Sequence, residues 1–219
     1  MPMVVKPNIS RRGAPHQDRS HKTLDRILNA AGELLEQVGF EQLSTNAICK
    51  QAGVTPPALY RYFPNKYAVL KELGERLMTD QNALLQDWPS AVDDLRQIEL
   101  EIVHLLTETI RVTRATRGGV WIMRALHATP SLSDVRVKSH QSVARQMTGR
   151  LVRARPNLDE AQAYQRIRLG VEWGYALIEM VFDEPDLDER TLIHQAAALL
   201  TDNIRTLMPD APGSAQSLA

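Results

Sequence analysis

Residues 44–70 read STNAICKQAGVTPPALYRYFPNKYAVL, and the order of residue types predicts a helix, a tight turn, a short second helix and the start of a third. Ser44 can cap the first of these, because its hydroxyl accepts from a free backbone amide, and Ala47, Ile48 and Ala52 then recur at helical spacing. Gly53 ends that helix, since glycine takes the left-handed backbone of a sharp helix exit without steric cost. Val54 plugs the angle between the two helices. Thr55 followed by Pro56 and Pro57 opens the next, because proline in a first turn loses no intrahelical bond. That helix is expected to run through Phe63 before Pro64 and Asn65 break it.

Leu59 and Phe63, four residues apart, share one face and anchor the short helix in a core. Thr55, Pro56, Ala58, Tyr60, Arg61 and Tyr62 are then expected to point outward. Tyrosine hydroxyls and an arginine suit a phosphate-lined groove, whereas Thr55, Ala58 and the proline rings can lie against thymine methyls. Lys66 stands at the start of the third helix, where its charge and the free amides of the helix end favour the same phosphate. This is the layout of a DNA-reading helix-turn-helix. On pattern alone, a helical corner that touches no nucleic acid fits as well.

Gly53, Val54, Leu59, Tyr60, Tyr62, Phe63, Pro64, Lys66 and Leu70, in the order AGVTPPALYRYFPNKYAVL, resemble the signature of TetR-type transcriptional regulators. The resemblance includes a preceding helix from Thr23 to Val38 with Gly39 and Phe40 after it, and covers roughly 23–73. It implies that Tyr60, Tyr62 and Lys66 grip phosphates and that Thr45, Asn46, Thr55, Pro56, Pro57 and Ala58 face the bases. Asn46 is a natural adenine reader through its amide. The Pro56-Pro57 pair and Cys49 depart from the family's usual residues. Fewer base-edge hydrogen bonds are therefore expected from the recognition helix, and more discrimination from methyl contacts, Asn46 and DNA shape.

A chain of 219 residues buries a real core. No run approaches a membrane-spanning length, and the first residues lack the apolar stretch of a secretory signal, so a cytoplasmic location is expected. One cysteine excludes an internal disulfide, and Cys49 reads as a small packing residue rather than a redox centre. The net charge is zero, but residues 1–71 carry ten Lys and Arg against five Asp and Glu, and the remainder sixteen against twenty-one. Residues 1–21, with Lys6, Arg11, Arg12 and Arg19 among Pro, Gly, His and Ser, read as a disordered basic arm, either a solvated tail or a minor-groove strap. The reading domain is expected over 22–70, a helical ligand-binding and dimerisation domain over 71–208, and a disordered tail over 209–219.

Helix-breaking clusters at 88–90, 118–119, 129–131, 155–157 and 183–186 predict six further helices, 66–86, 91–117, 120–128, 132–155, 159–181 and 187–207. No alternating strand pattern competes, so the fold is expected to be all-α. Gly170, Gly174 and Ala176 in the penultimate helix and Ala196, Ala197 and Ala198 in the last allow close helix approach. Such faces serve a homodimer interface or ordinary packing within one chain. The resemblance selects the dimer, with helices 159–181 and 187–207 forming a four-helix bundle between protomers and two reading heads presented to a palindromic operator.

The middle helices supply the sensing part. Leu95, Ile98, Ile102, Leu105 and Leu106 line one face, and Trp121, Met147 and Trp173 are large enough to line a pocket for an unknown small-molecule effector. Arg124, His127, Arg168, Glu172 and Tyr175 are the polar candidates to orient it. Gly118-Gly119 reads as a hinge. An enzyme is the rival class: Glu101 and His104 have the spacing of one half of a di-iron site, but no matching second pair exists, and no nucleophile-elbow, phosphate-loop or zinc-protease motif is present. The sequence therefore reads as a ligand-responsive DNA-binding repressor without cofactor, metal or catalytic residue, with a ligand-binding module that has no DNA affinity as the other alternative.

Overall fold

The computed structural model describes residues 18–89, 94–205 and 207. Among these residues there are nine α-helices, a 3-10 turn at Leu84–Asp87 and no strand. They are α1 (Asp18–Gln42), α2 (Thr45–Ala52), α3 (Pro56–Tyr60), α4 (Lys66–Ala83), α5 (Leu95–Ala115), α6 (Gly119–Ala128), α7 (Ser133–Ala154), α8 (Glu160–Asp183) and α9 (Glu189–Arg205). Every expected break interrupts the helices where the sequence put it, within a few residues. Two ends differ. α1 starts at Asp18 rather than Thr23, so the last four residues assigned to a disordered arm are helical, and the rest of that arm lies outside the described residues. The expected tail at 209–219 also lies outside them. The regular part of α1 ends after Val38, as Gly39 leaves helical geometry at φ 69° and ψ 180°.

The described residues pack as two compact units. Those up to Ala83, with Arg111–Ser139, form the first; Leu84–Ile110, with those from His140 onward, form the second. The first unit thus extends past the boundary expected at residue 70 to take in all of α4, the end of α5 and all of α6. In it, α1 lies across α2, α4 and α6, with Ile27, Leu35, Ile48, Leu59, Phe63 and Val69 closed off from solvent. Burying each such side chain is worth about 1.5–3 kcal/mol. In the second unit α8 packs along α9, and of the expected α5 stripe Ile98, Ile102 and Leu106 are buried, with Leu95 and Leu105 half-buried and Ile110 buried beyond it. Arg166 Nη1 donates to the Asn203 carbonyl at 2.8 Å and Asn203 Nδ2 to the Arg166 carbonyl at 2.9 Å, which fixes the register of α8 on α9.

Candidate nucleic-acid interface

Local chemistry builds the motif from α2 to α4. Ser44, in extended backbone, accepts from the Ala47 N–H and caps α2, while Gly53 closes it in left-handed backbone at φ 59°. Its N–H reaches Lys50 O, and that of Val54 reaches Cys49 O at 3.0 Å. Two side chains unforeseen in the sequence brace these turns. Arg26 Nη2, from α1, donates to the Ala52 carbonyl at 2.6 Å and the Gly53 carbonyl at 3.1 Å. Asn65 Oδ1 accepts from the Ala68 N–H at 3.0 Å and caps α4. An asparagine just before a helix was signal enough for the second; a lone arginine twenty-six residues away gives none for the first. Burial pushes the Cys49 thiol up, away from reactivity.

α3 is shorter than expected, ending at Tyr60 with Arg61 and Tyr62 in a turn. Leu59 and Phe63 face the core as foreseen, and Thr55, Pro56, Pro57, Tyr60 and Arg61 are exposed, with Ala58 half-buried. Tyr62 is the correction. It was expected outward with Tyr60, but Tyr60 is 41% exposed and Tyr62 only 4%. The cause is the spacing: Tyr62 follows Leu59 by three residues, with its N–H on Leu59 O at 2.9 Å, so its ring falls on the same side as Leu59 and Phe63 rather than opposite them. Arg61 lies over it, with its guanidinium carbon 5.2 Å from the ring centroid and Nη2 donating to the hydroxyl at 3.2 Å.

The first turn of α2 and the end of α3 meet at the surface, where Thr45 Oγ1 and Tyr60 Oη stand 3.1 Å apart. Asn46 beside them is exposed. Lys66 starts α4 as expected, but its ammonium is turned to its own chain, donating to Phe40 O at 3.3 Å and Glu41 O at 3.2 Å over the Phe40 ring.

The effector candidates divide between the two units. Trp121, Arg124 and His127 belong to the first unit; Met147, Trp173 and Tyr175 belong to the second. Trp121 packs over Gly39 and carries the Arg124 guanidinium 4.9 Å above its ring, and His127 is exposed. Trp173 is exposed as well, at 47%. Tyr175 sits in a polar cluster centred on His140, a fully buried residue that the sequence did not single out because nothing around it marks burial. The two rings stack at 4.0 Å, His140 Nδ1 lies 3.0 Å from Glu172 Oε1, and Arg168 Nη2 lies 2.5 Å from the same oxygen. Burial alone would raise the Glu172 carboxyl, but hydrogen bonds from His140 and Arg168 outweigh it and hold it down to about 2. Burial also pushes the Tyr175 hydroxyl up, with the Glu172 charge adding to it. Among the described residues no three His, Cys, Asp or Glu side chains gather to hold a metal, Glu101 and His104 included.

A short exposed helix, braced from behind by Leu59 and Phe63 and set at a fixed angle on α2, defines a helix-turn-helix reading domain. Residues 27–73 match the sequence profile of the bacterial regulatory proteins of the tetR family. It is 24% identical over 127 residues to the HTH-type transcriptional regulator UidR of Escherichia coli K12, covering 58% of this chain and 63% of UidR. It is 37% identical over 70 residues to the class A tetracycline repressor protein from transposon 1721 of Escherichia coli, 32% of each chain. The matches therefore span less than two thirds of these relatives. A TetR-family transcriptional regulator from Streptomyces coelicolor shares the fold at 23% identity and a TM-score of 0.60, over 84% of this chain and 98% of that one. No helix among the described residues is long and apolar enough to cross a membrane.

Proposed function

We propose that this chain is a homodimeric, ligand-responsive DNA-binding regulator of the cytoplasm, a repressor that holds a palindromic operator and leaves it when a small molecule binds. The observation that carries the reading is the exposed face from Thr55 to Arg61 joined to Thr45 at the start of α2. Thr45, Asn46, Thr55, Pro56, Pro57 and Ala58 face base edges and methyl groups, and Tyr60, Arg61 and Lys66 hold phosphates. Tyr62 serves indirectly, as the platform on which Arg61 rests. Dimerisation falls to α8 and α9, whose Leu169, Trp173 and Leu199 are left exposed in the single chain. The effector is assigned to the second unit, beside Tyr175.

The test is selection of duplexes from a random pool by the purified protein, followed by binding at increasing salt. A palindromic consensus is expected, with affinity falling as salt rises by about 0.9 logarithmic units per phosphate held, per tenfold salt. Failure to enrich any sequence would reject the reading.

A further inference from the structure

In the first unit, the corner joining α5 to α6 is seated directly on α1. A Cβ at Gly118 would stand 2.8 Å from the Gly32 carbonyl oxygen, and a Cβ at Gly32 would stand 2.8 Å from the Arg117 carbonyl oxygen. Gly118, at φ +70°, donates its N–H to Glu36 Oε1 at 2.8 Å. Two backbones in contact with no side chain between them cannot slide independently, so a shift of the corner is felt by α1. The Gly118-Gly119 break is thus a clamped corner rather than a loose hinge.

Glu33, on the same stretch of α1, continues the connection. Its Oε1 accepts from Arg117 Nη1, in the corner, and its Oε2 accepts from Gln51 Nε2 at 2.9 Å, in the last turn of α2. A solvated ion pair between two surface residues would add under about 1 kcal/mol and direct nothing. Here each carboxylate oxygen serves a different element, so the rotamer that satisfies the corner is the one that holds α2. From α2 the same geometry reaches α3 through Thr45 and Tyr60.

We propose that Glu33 is a positioning residue for DNA reading, tying the α5–α6 corner to α2 and so fixing the angle at which α2 and α3 meet the groove. The proposal rests on the reading of Thr45, Asn46 and Tyr60 as the DNA-facing surface. Its test uses full-length Arg117→Ala, Gln51→Ala and the double variant, all changed at exposed positions so that the core is kept. Two quantities are measured: amide exchange across residues 45–52, and the ratio of affinities for the duplex selected by the wild-type protein and an unrelated duplex of equal length. Arg117→Ala should speed exchange in α2, although Arg117 lies eighty-four residues from Glu33 in sequence and its bond runs to Glu33 on α1. Each single variant should lower the affinity ratio about threefold or more, and the double variant no further than the larger single effect. Additive losses, or unchanged exchange in Arg117→Ala, would overturn it. If the wild-type protein selects no duplex, DNA reading is what fails, and exchange alone then decides whether the Glu33 tie exists.

Discussion

Lys66 donates to two carbonyls at the end of α1, and a lysine has only three N–H donors. Two of its donors hold α1 against α4, and one is left for the phosphate contact proposed for it. Lys66→Ala should lower both the affinity for every duplex and the thermal stability of the free protein, the latter by about 1 kcal/mol for charge-assisted bonds at a half-buried site. Calorimetry without DNA checks the second effect; an unchanged melting temperature would leave Lys66 as a phosphate contact alone. Tyr60→Phe removes the hydroxyl that meets Thr45, and should weaken all duplexes alike. Asn46→Ala differs in kind. If its exposed amide reads one base pair, as proposed, the variant should lose about 1–3 kcal/mol of preference there and nothing at the others. Equal loss across a panel of single-base operator variants would move Asn46 to the backbone contacts.

Helix ends carry the motif, and their chemistry is local enough to test one residue at a time. Ser44→Ala deletes the acceptor for the Ala47 amide and should cost about 1 kcal/mol, seen as a lower urea midpoint. The same locality explains what the sequence revealed. Ser44, Gly53 and the two prolines act on neighbours within four residues, so α2, its exit and the start of α3 were legible, as were Leu59 and Phe63 at their backs. Tyr62 was misplaced although its spacing of three from Leu59 puts it on the buried side, because its hydroxyl was read as a phosphate contact. Arg26 and His140 were invisible for another reason: their partners lie far along the chain. The His140 cluster on α7 and α8 makes its own prediction. Glu172 is held from an ordinary 4.5 down to about 2, so its folded value lies below its unfolded one. The stabilisation is fully present above about pH 4.5 and is lost as pH falls through about 2. Urea midpoints between pH 5 and pH 2.5 should therefore fall less steeply for Glu172→Gln than for the wild-type chain; parallel curves would remove Glu172 from the acid response. Because the carboxylate is partly exposed, the difference is modest, on the order of 1 kcal/mol.

At the scale of the molecule, the proposed palindromic site demands two copies of α3, and only a two-fold partner supplies the second. The second unit has a surface suited to that partner. Leu199 on α9 is 67% exposed, Trp173 on α8 is 47% exposed and Leu169, one turn before it, is 45% exposed, while Gly170 lets α8 approach Leu200 of α9 closely. Large apolar side chains left in water on two adjacent helices are costly in a free monomer and become favourable when a second copy covers them. A charge placed there would be buried without a counterpart on assembly, at a cost of about 2–5 kcal/mol. Leu199→Glu and Trp173→Glu should accordingly shift sedimentation from dimer to monomer at micromolar concentration while far-UV circular dichroism stays helical. The DNA consequence separates assembly from reading. A monomer keeps one intact reading head, so affinity for a duplex carrying one half-site should be unchanged, and the gain from adding the second half-site should vanish. If both variants still sediment as dimers and still gain from the second half-site, α8 and α9 are not the interface, and the pairing of reading heads must be built from another face.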